Sequence, residues 1–300
     1  MTEQPTNFLG LGPPLSDYAR ARVALLPIPY DATASYRAGT RHGPASIIEA
    51  SQQVEWFDEE LGREFHRCGI ATLEPVPTVV AGPEAMHRAI YRRARRVIRD
   101  GKFLIGVGGE HGITSALIRA TAQRHRRLSV LQIDAHTDLR DTYQGSGYSH
   151  ACVMRRSLDY VNRITAVGIR SMSLEEHRFV KKAAAAASGY SITVVEASDC
   201  RRDSEWIERA LTGLGETVYV TIDIDGFDPA YAPGTGTPEP GGLDWFQVTS
   251  LLRRVAGEKR IVGADLVEVL PLPGQAITEF LAARLIYKLI AYIESARRSA

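Results

Sequence analysis

Short continuous apolar runs, each followed by a longer amphipathic stretch, recur along almost the whole chain, and this alternation restricts the fold more than any other feature. The runs at 23–27, 70–73, 103–107, 128–133, 164–169, 191–195, 217–224 and 261–269 read as strands. Most are apolar at successive positions, as parallel strands covered on both faces require. Helical periodicity occupies the intervals 44–56, 83–99, 114–125, 174–187, 204–214, 245–256 and 276–296. Pro44 and Pro83 stand where a first helical turn tolerates proline, and the alanine tract at 183–187 favours helix, with Gly189 as its stop. The alternation predicts an α/β fold: a single three-layer domain with a mostly parallel, about eight-stranded sheet flanked by helices. Residues 1–20, with three prolines and no periodicity, read as an irregular leader to one domain at 21–300.

Charge excludes some classes of function. Thirty-six basic residues face 35 acidic ones, a formal charge of +1, which argues against a nucleic-acid surface or a basic membrane patch. No apolar run approaches the roughly 18 residues of a membrane helix. The start shows no basic segment followed by an apolar one, and the three cysteines have no metal-finger or CxxC spacing. These features predict a cytoplasmic protein.

In open α/β sheets, function collects just past the carboxyl ends of the strands. Three such ends are rich in metal ligands. The run at 103–107 leads into Gly108-Gly109-Glu110-His111, that at 128–133 into Asp134-Ala135-His136-Thr137-Asp138, and that at 217–222 into Asp223-Ile224-Asp225-Gly226. In extended chain, positions i and i+2 point to one face, so Asp134 can share a site with His136, and Asp223 with Asp225. A lone aspartate after a strand is usually a helix cap or turn former, and a lone histidine usually a hydrogen-bonded structural residue. Two DxD/DxH units on separate strands plus a histidine turn go beyond that reading. Two carboxylates about 4.5 Å apart repel by roughly 3–4 kcal/mol at an effective dielectric of 20, so four of them call for cations. Oxygen and imidazole ligands suit manganese, iron, nickel or zinc.

These segments, with Ser149-His150, the run IDIDGFDPAYAPGTGTPEPGG and Gly263-Ala264-Asp265-Leu266-Val267-Glu268, resemble the signature set of the arginase/agmatinase, or ureohydrolase, family. The resemblance covers nearly the whole chain from Pro27-Ile28-Pro29-Tyr30 and Gly39-Thr40-Arg41-His42-Gly43 onward. It implies two Mn2+ per chain. His111, Asp134, Asp138 and Asp223 would hold one ion, and Asp134, His136, Asp223 and Asp225 the other. His150 matches the family's proton-shuttling histidine and Glu268 its guanidinium-holding glutamate. The implied activity is urea release from a small cationic guanidino compound, agmatine first, with N1-aminopropylagmatine, guanidinobutyrate, arginine or guanidine as alternatives. The family also implies a homotrimer or homohexamer. Deacetylases of similar fold typically use one zinc, whereas the repeated ligand pairs here favour two metals. A non-catalytic relative is disfavoured because every expected residue is present. Glu110 reads as a supporting or turn residue, Asp228 as a turn organiser, His177 as a solvated helix position, and Trp56, Trp206 and Trp245 as helix packing residues. Arg140 stands where family arginases carry the asparagine that reads the amino-acid head. The segments Tyr148-Ser149-His150-Ala151 and GTGTPEPGG look more like agmatinases.

Overall fold

The computed structural model describes residues 6–183 and 189–299. The chain runs β1 (Val23–Ile28), α1 (Gly43–Ser51), β2 (Phe57–Asp58), β3 (Arg63–Glu64), β4 (Ile70–Thr72), α2 (Pro83–Arg99), β5 (Phe103–Gly108), α3 (Thr114–Arg124), β6 (Leu128–Ile133), α4 (Val153–Ser157), β7 (Arg163–Ile169), α5 (Leu174–Ala183), β8 (Ser191–Glu196), α6 (Ala197–Arg202), α7 (Trp206–Gly213), β9 (Thr217–Asp223), α8 (Trp245–Glu258), β10 (Arg260–Val267) and α9 (Ile277–Ser299). Eight strands form one sheet in the order β4-β1-β5-β10-β9-β6-β7-β8, with every neighbouring pair parallel. β2 and β3 make a separate antiparallel ribbon.

The predicted strand positions and the predicted architecture hold. β1, β5, β6 and β9 are buried at every position, which is why β1 and β5 are apolar without alternation and why the few polar side chains of β6 and β9, such as Gln132 and Thr221, are themselves buried. One core layer gathers side chains of α1, α7, α8 and α9 on one face of the sheet. A second gathers those of α2, α3 and α4 on the other. Because the strands are parallel, the carboxyl ends of the central β5, β10, β9 and β6 open on one edge of the sheet.

Several boundaries differ from expectation for local reasons. The helix expected at 44–56 ends at Ser51, so Trp56 lies outside it, partly exposed, with its ring 4.3 Å from that of His66. The helix expected at 174–187 is seen as Leu174–Ala183, and residues 184–187 lie outside the described residues. The one expected at 204–214 is α7, preceded by the short α6, too brief to show a period. β10 ends at Val267, not 269, because Glu268 turns into the left-handed region at φ 63. The leader is irregular in backbone yet anchored: Phe8, Leu9 and Leu11 are buried, and Leu9 N–H donates to Ser51 Oγ at 2.9 Å. Among the described residues, no helix is long and apolar enough to cross a membrane.

One buried ion cluster ties α9 to the β2–β3 ribbon. The Lys288 ammonium donates to Asp58 Oδ1 and Oδ2 at 3.0 and 2.9 Å, and lies 2.8 Å from Glu60 Oε2. Lys288 and Asp58 are both buried, so removing one partner strands the other's charge. Lys288→Met is therefore expected to lower unfolding stability by about 3–5 kcal/mol in urea denaturation. Lys288→Met combined with Asp58→Asn is expected to recover part of that loss. A single-variant loss below about 1 kcal/mol would place this pair with exposed ion pairs in its effect.

Candidate metal centre

Four strand ends converge on one cavity of about 290 Å³. β5 delivers His111, β6 delivers Asp134, His136 and Asp138, β9 delivers Asp223 and Asp225, and β10 delivers Glu268. Two ligand groups lie side by side, His111–Asp134–Asp223 and Asp134–His136–Asp225, with donor atoms in each within 4.8 Å of one another and Asp134 common to both. His111 Nδ1 is 3.1, 3.0 and 3.3 Å from carboxylate oxygens of Asp134, Asp138 and Asp223. His136 Nδ1 is 3.1 Å from Asp225 Oδ2 and 3.6 Å from Asp134 Oδ1. Asp134 and His136 share a group, as their i,i+2 spacing suggested. Asp223 stands in the first group and Asp225 in the second; the chain leaves the strand at Asp223 for a 3-10 turn at Ile224–Gly226, where the Asp223 carboxylate accepts the Asp225 N–H at 2.9 Å. Asp138 reaches the cluster from a left-handed backbone, φ 52, a conformation rare outside glycine and concentrated at functional sites.

The electrostatics of this cluster demand positive charge. Burial, and then Asp225 and Asp134, push the Asp223 carboxyl well above its usual range. Burial and Asp134 push that of Asp138 up to about 7. Burial opposes charge on His136, but the hydrogen bonds to Asp134 and Asp225 outweigh it and raise the imidazole to about 12. A bound cation would relieve the burial and mutual repulsion of these carboxyls and take the place of the proton on His136.

A buried hydrogen-bond chain tests whether the residues fit a metal. The Tyr219 and Thr221 hydroxyls donate to Asp265 at 2.7 and 2.6 Å. The one Thr221 proton is thus committed, so Thr221 Oγ1 accepts from His111 Nε2–H at 2.9 Å. His111 Nδ1 then points a lone pair at three carboxylates and makes no aligned hydrogen bond. Without a cation, protonation of Nδ1 answers the same need, which is why the carboxylates raise His111 against the opposing effect of burial. An imidazole nitrogen among carboxylate oxygens, oriented from behind by a hydroxyl and a carboxylate, fits a divalent metal of the manganese-to-zinc series.

Around the ligands stand the other expected residues. Glu268 Oε1 accepts the His111 backbone N–H at 2.6 Å, and burial pushes its carboxyl well up. His150 lines the cavity, and burial pushes its imidazole below the ordinary value. Glu110 spends both oxygens on Thr33, and Asp228 accepts backbone N–H groups of Ala230, Gly241 and Gly242, so each has the supporting role its sequence context suggested. His177 is exposed. The structure also recruits Ser35, Tyr143, Ser173 and Glu176, which no motif spacing marked, and Thr237 of the GTGTP run. Arg170 holds the loop beyond β9, donating to the carbonyls of Asp225, Phe227 and Glu239 at 2.6, 3.2 and 2.8 Å. Arg140 lies 3.7 Å from Glu176 Oε2, with its guanidinium 5.0 Å from the centre of the Tyr143 ring. A larger cavity of about 800 Å³ opens at the opposite edge of the sheet, beside Phe103, Thr217 and Arg260, and no ligand group lies there among the described residues.

Known proteins resemble this chain in sequence and in fold. The arginase family model matches residues 21–291. N(1)-aminopropylagmatine ureohydrolase of Synechocystis sp. is 39% identical over 99% of this chain and 97% of its own length. The agmatinase of Bacillus subtilis is 34% identical over 85% of this chain and 86% of its own. The crystal structure of agmatine ureohydrolase of Thermoplasma volcanium superposes with a TM-score of 0.85 at 32% identity, covering 99% and 97% of the two chains. Sequence and fold thus agree, and the chain belongs to the arginase family.

Proposed function

We propose that the protein hydrolyses the guanidinium group of agmatine, consuming one water and giving putrescine and urea, at a binuclear manganese site. The observation that carries this reading is the pair of ligand groups sharing Asp134, set in one cavity with Glu268. In it His111, Asp134, Asp138 and Asp223 hold one ion, and Asp134, His136, Asp223 and Asp225 hold the other. Bound ions supply Lewis-acid charge and lower the pKa of water from 15.7 towards about 7.

The chain's own residues do the rest. Glu268 offers a buried carboxylate to a guanidinium, the planar partner that pairs best with it. The pairing also relieves the cost of burying Glu268 alone. His150, held neutral by burial at ordinary pH, can take a proton and hand it to the departing amine. His136 and Asp138 line the cavity on one side and Asp223, Asp225 and Thr237 on another, and Arg170 fixes the loop that carries Asp225 and Thr237.

N1-aminopropylagmatine is the second reading, favoured by the 39% identity to an enzyme of that name. It differs only in a longer amine tail, so the same guanidinium end would serve. The reading includes a cytoplasmic setting, supported by three free cysteines, and a homotrimer or homohexamer, for which Trp245 and the exposed Ile277 and Phe280, lining one groove, offer an apolar face. Light scattering reads the mass directly.

The test is urea release from agmatine by manganese-loaded protein, with metal content measured on the same sample. Two ions per chain and chelator-sensitive urea release are expected; no urea from either amine would overturn the proposal. His150→Asn is expected to keep both ions while losing about a hundredfold in kcat, at the low end for a general acid or base. Loss of an ion from that variant would make His150 a ligand instead.

A further inference from the structure

Glu110 sits one residue before a candidate ligand, yet both of its oxygens serve another segment. Oε2 accepts the Thr33 backbone N–H at 2.6 Å, and Oε1 accepts the Thr33 hydroxyl at 2.8 Å. The carboxylate is buried, and the turn beside it leaves it little room: a Cβ on Gly112 would lie 2.9 Å from Oε1. Thr33 in turn faces His150. Its Oγ1 accepts the His150 backbone N–H at 3.0 Å and lies 3.4 Å from Nδ1. Ser149 Oγ is also 3.4 Å from Nδ1, while Ser35 Oγ is 3.4 Å from Nε2. The Tyr143 ring stands edge-on to the imidazole, 6.0 Å away at 85°.

A hydroxyl has one proton to give. Thr33 gives its proton to Glu110, so towards His150 it has only lone pairs. A bare Nδ1 would set lone pair against lone pair, whereas Nδ1–H finds an acceptor. Ser149 can donate or accept and does not oppose this choice.

We propose that Glu110 and Thr33 are positioning residues for the proton carried by His150: Glu110 takes the Thr33 proton, Thr33 can then only accept, and neutral His150 keeps its proton on Nδ1 with Nε2 bare on the side of Ser35 and the cavity. Nε2 is then the atom that takes a proton from the cavity and returns it to the departing amine. The inference rests on the shuttle role assigned to His150 above, and it adds the machinery that decides which nitrogen shuttles.

The test reads the tautomer itself. The full chain is labelled with 15N-histidine and loaded with zinc, which is diamagnetic. Spectra are recorded at pH 9. The wild type is expected to show His150 with a pyrrole-like Nδ1 and a pyridine-like Nε2. Thr33→Val should move the population towards Nε2–H, and Thr33→Ser should restore the wild-type pattern. Glu110→Gln gives an independent arm, because its amide can donate to Thr33 and free the hydroxyl proton for Nδ1; it too should favour Nε2–H. With agmatine, Thr33→Val is expected to keep two ions and a KM within about twofold while kcat falls about tenfold, and Thr33→Ser to recover it. Wild-type His150 protonated on Nε2, or a tautomer unmoved by both Thr33→Val and Glu110→Gln, would overturn the proposal. The spectra need no substrate, so a chain that hydrolysed no guanidine would defeat the functional reading without touching this result.

Discussion

Asp223→Asn is expected to lower bound metal below the wild-type content and to reduce urea release at least about a thousandfold, a loss near 4 kcal/mol of transition-state stabilisation. Asp223 is buried at the end of β9, with one oxygen 3.3 Å from His111 Nδ1 and the other holding Asp225 N–H at 2.9 Å. The amide keeps the shape and removes the charge. Metal that binds only the folded state stabilises it by mass action, about 2.7 kcal/mol at a hundred times Kd, so the variant should also melt lower at fixed metal concentration. In chelator the sign reverses. Burial, Asp225 and Asp134 already push the Asp223 carboxyl up, so the ionised group destabilises the metal-free fold at neutral pH. Metal-free Asp223→Asn should therefore be at least as stable as metal-free wild type in calorimetry. Unchanged metal content and rate would remove Asp223 from the site.

Such a prediction can be drawn because the candidate ligands are legible in the sequence. Asp134, His136, Asp223 and Asp225 interrupt apolar runs where packing alone would never place them, and strand ends of a parallel sheet must open on one edge. The strands were legible for the same reason: burial on both faces leaves β1 and β5 without a polar side chain, and β6 and β9 mostly apolar. Strand order was not, since β10 enters between β5 and β9 through contacts far apart in the chain. The 3-10 turn that ends β9 and carries Asp225 was hidden too. Thr33, Tyr143 and Glu176 carry no spacing signal; they come from loops and a helix that only the fold brings to the cavity. The left-handed backbones of Asp138 and Glu268 were equally invisible, since nothing but the surrounding structure forces them.

Substrate choice carries the second large effect. Among the described residues lining the cavity, Arg140 is the one permanent cation, against the carboxylates of Asp138, Glu176, Asp223, Asp225 and Glu268. Arg140 is itself engaged, 3.7 Å from Glu176 and 5.0 Å from the Tyr143 ring centre. A substrate carboxylate would have to break that arrangement or remain unpaired, at a cost of several kcal/mol, whereas an ammonium tail meets a compatible wall. Agmatine or its aminopropyl derivative is therefore expected to exceed arginine and guanidinobutyrate by about a thousandfold in kcat/KM. Arg140→Ala should leave the ranking intact; if it instead abolished activity on a carboxylate substrate, Arg140 would be the reader of that group.

The most direct measurement is urea release by manganese-loaded protein across agmatine, N1-aminopropylagmatine, guanidinobutyrate and arginine, compared as kcat/KM under one condition. The expected result is rapid, chelator-sensitive hydrolysis of one or both amines with the two carboxylates far behind. Arginine or guanidinobutyrate matching or exceeding both amines, or no urea from any of the four, would contradict it.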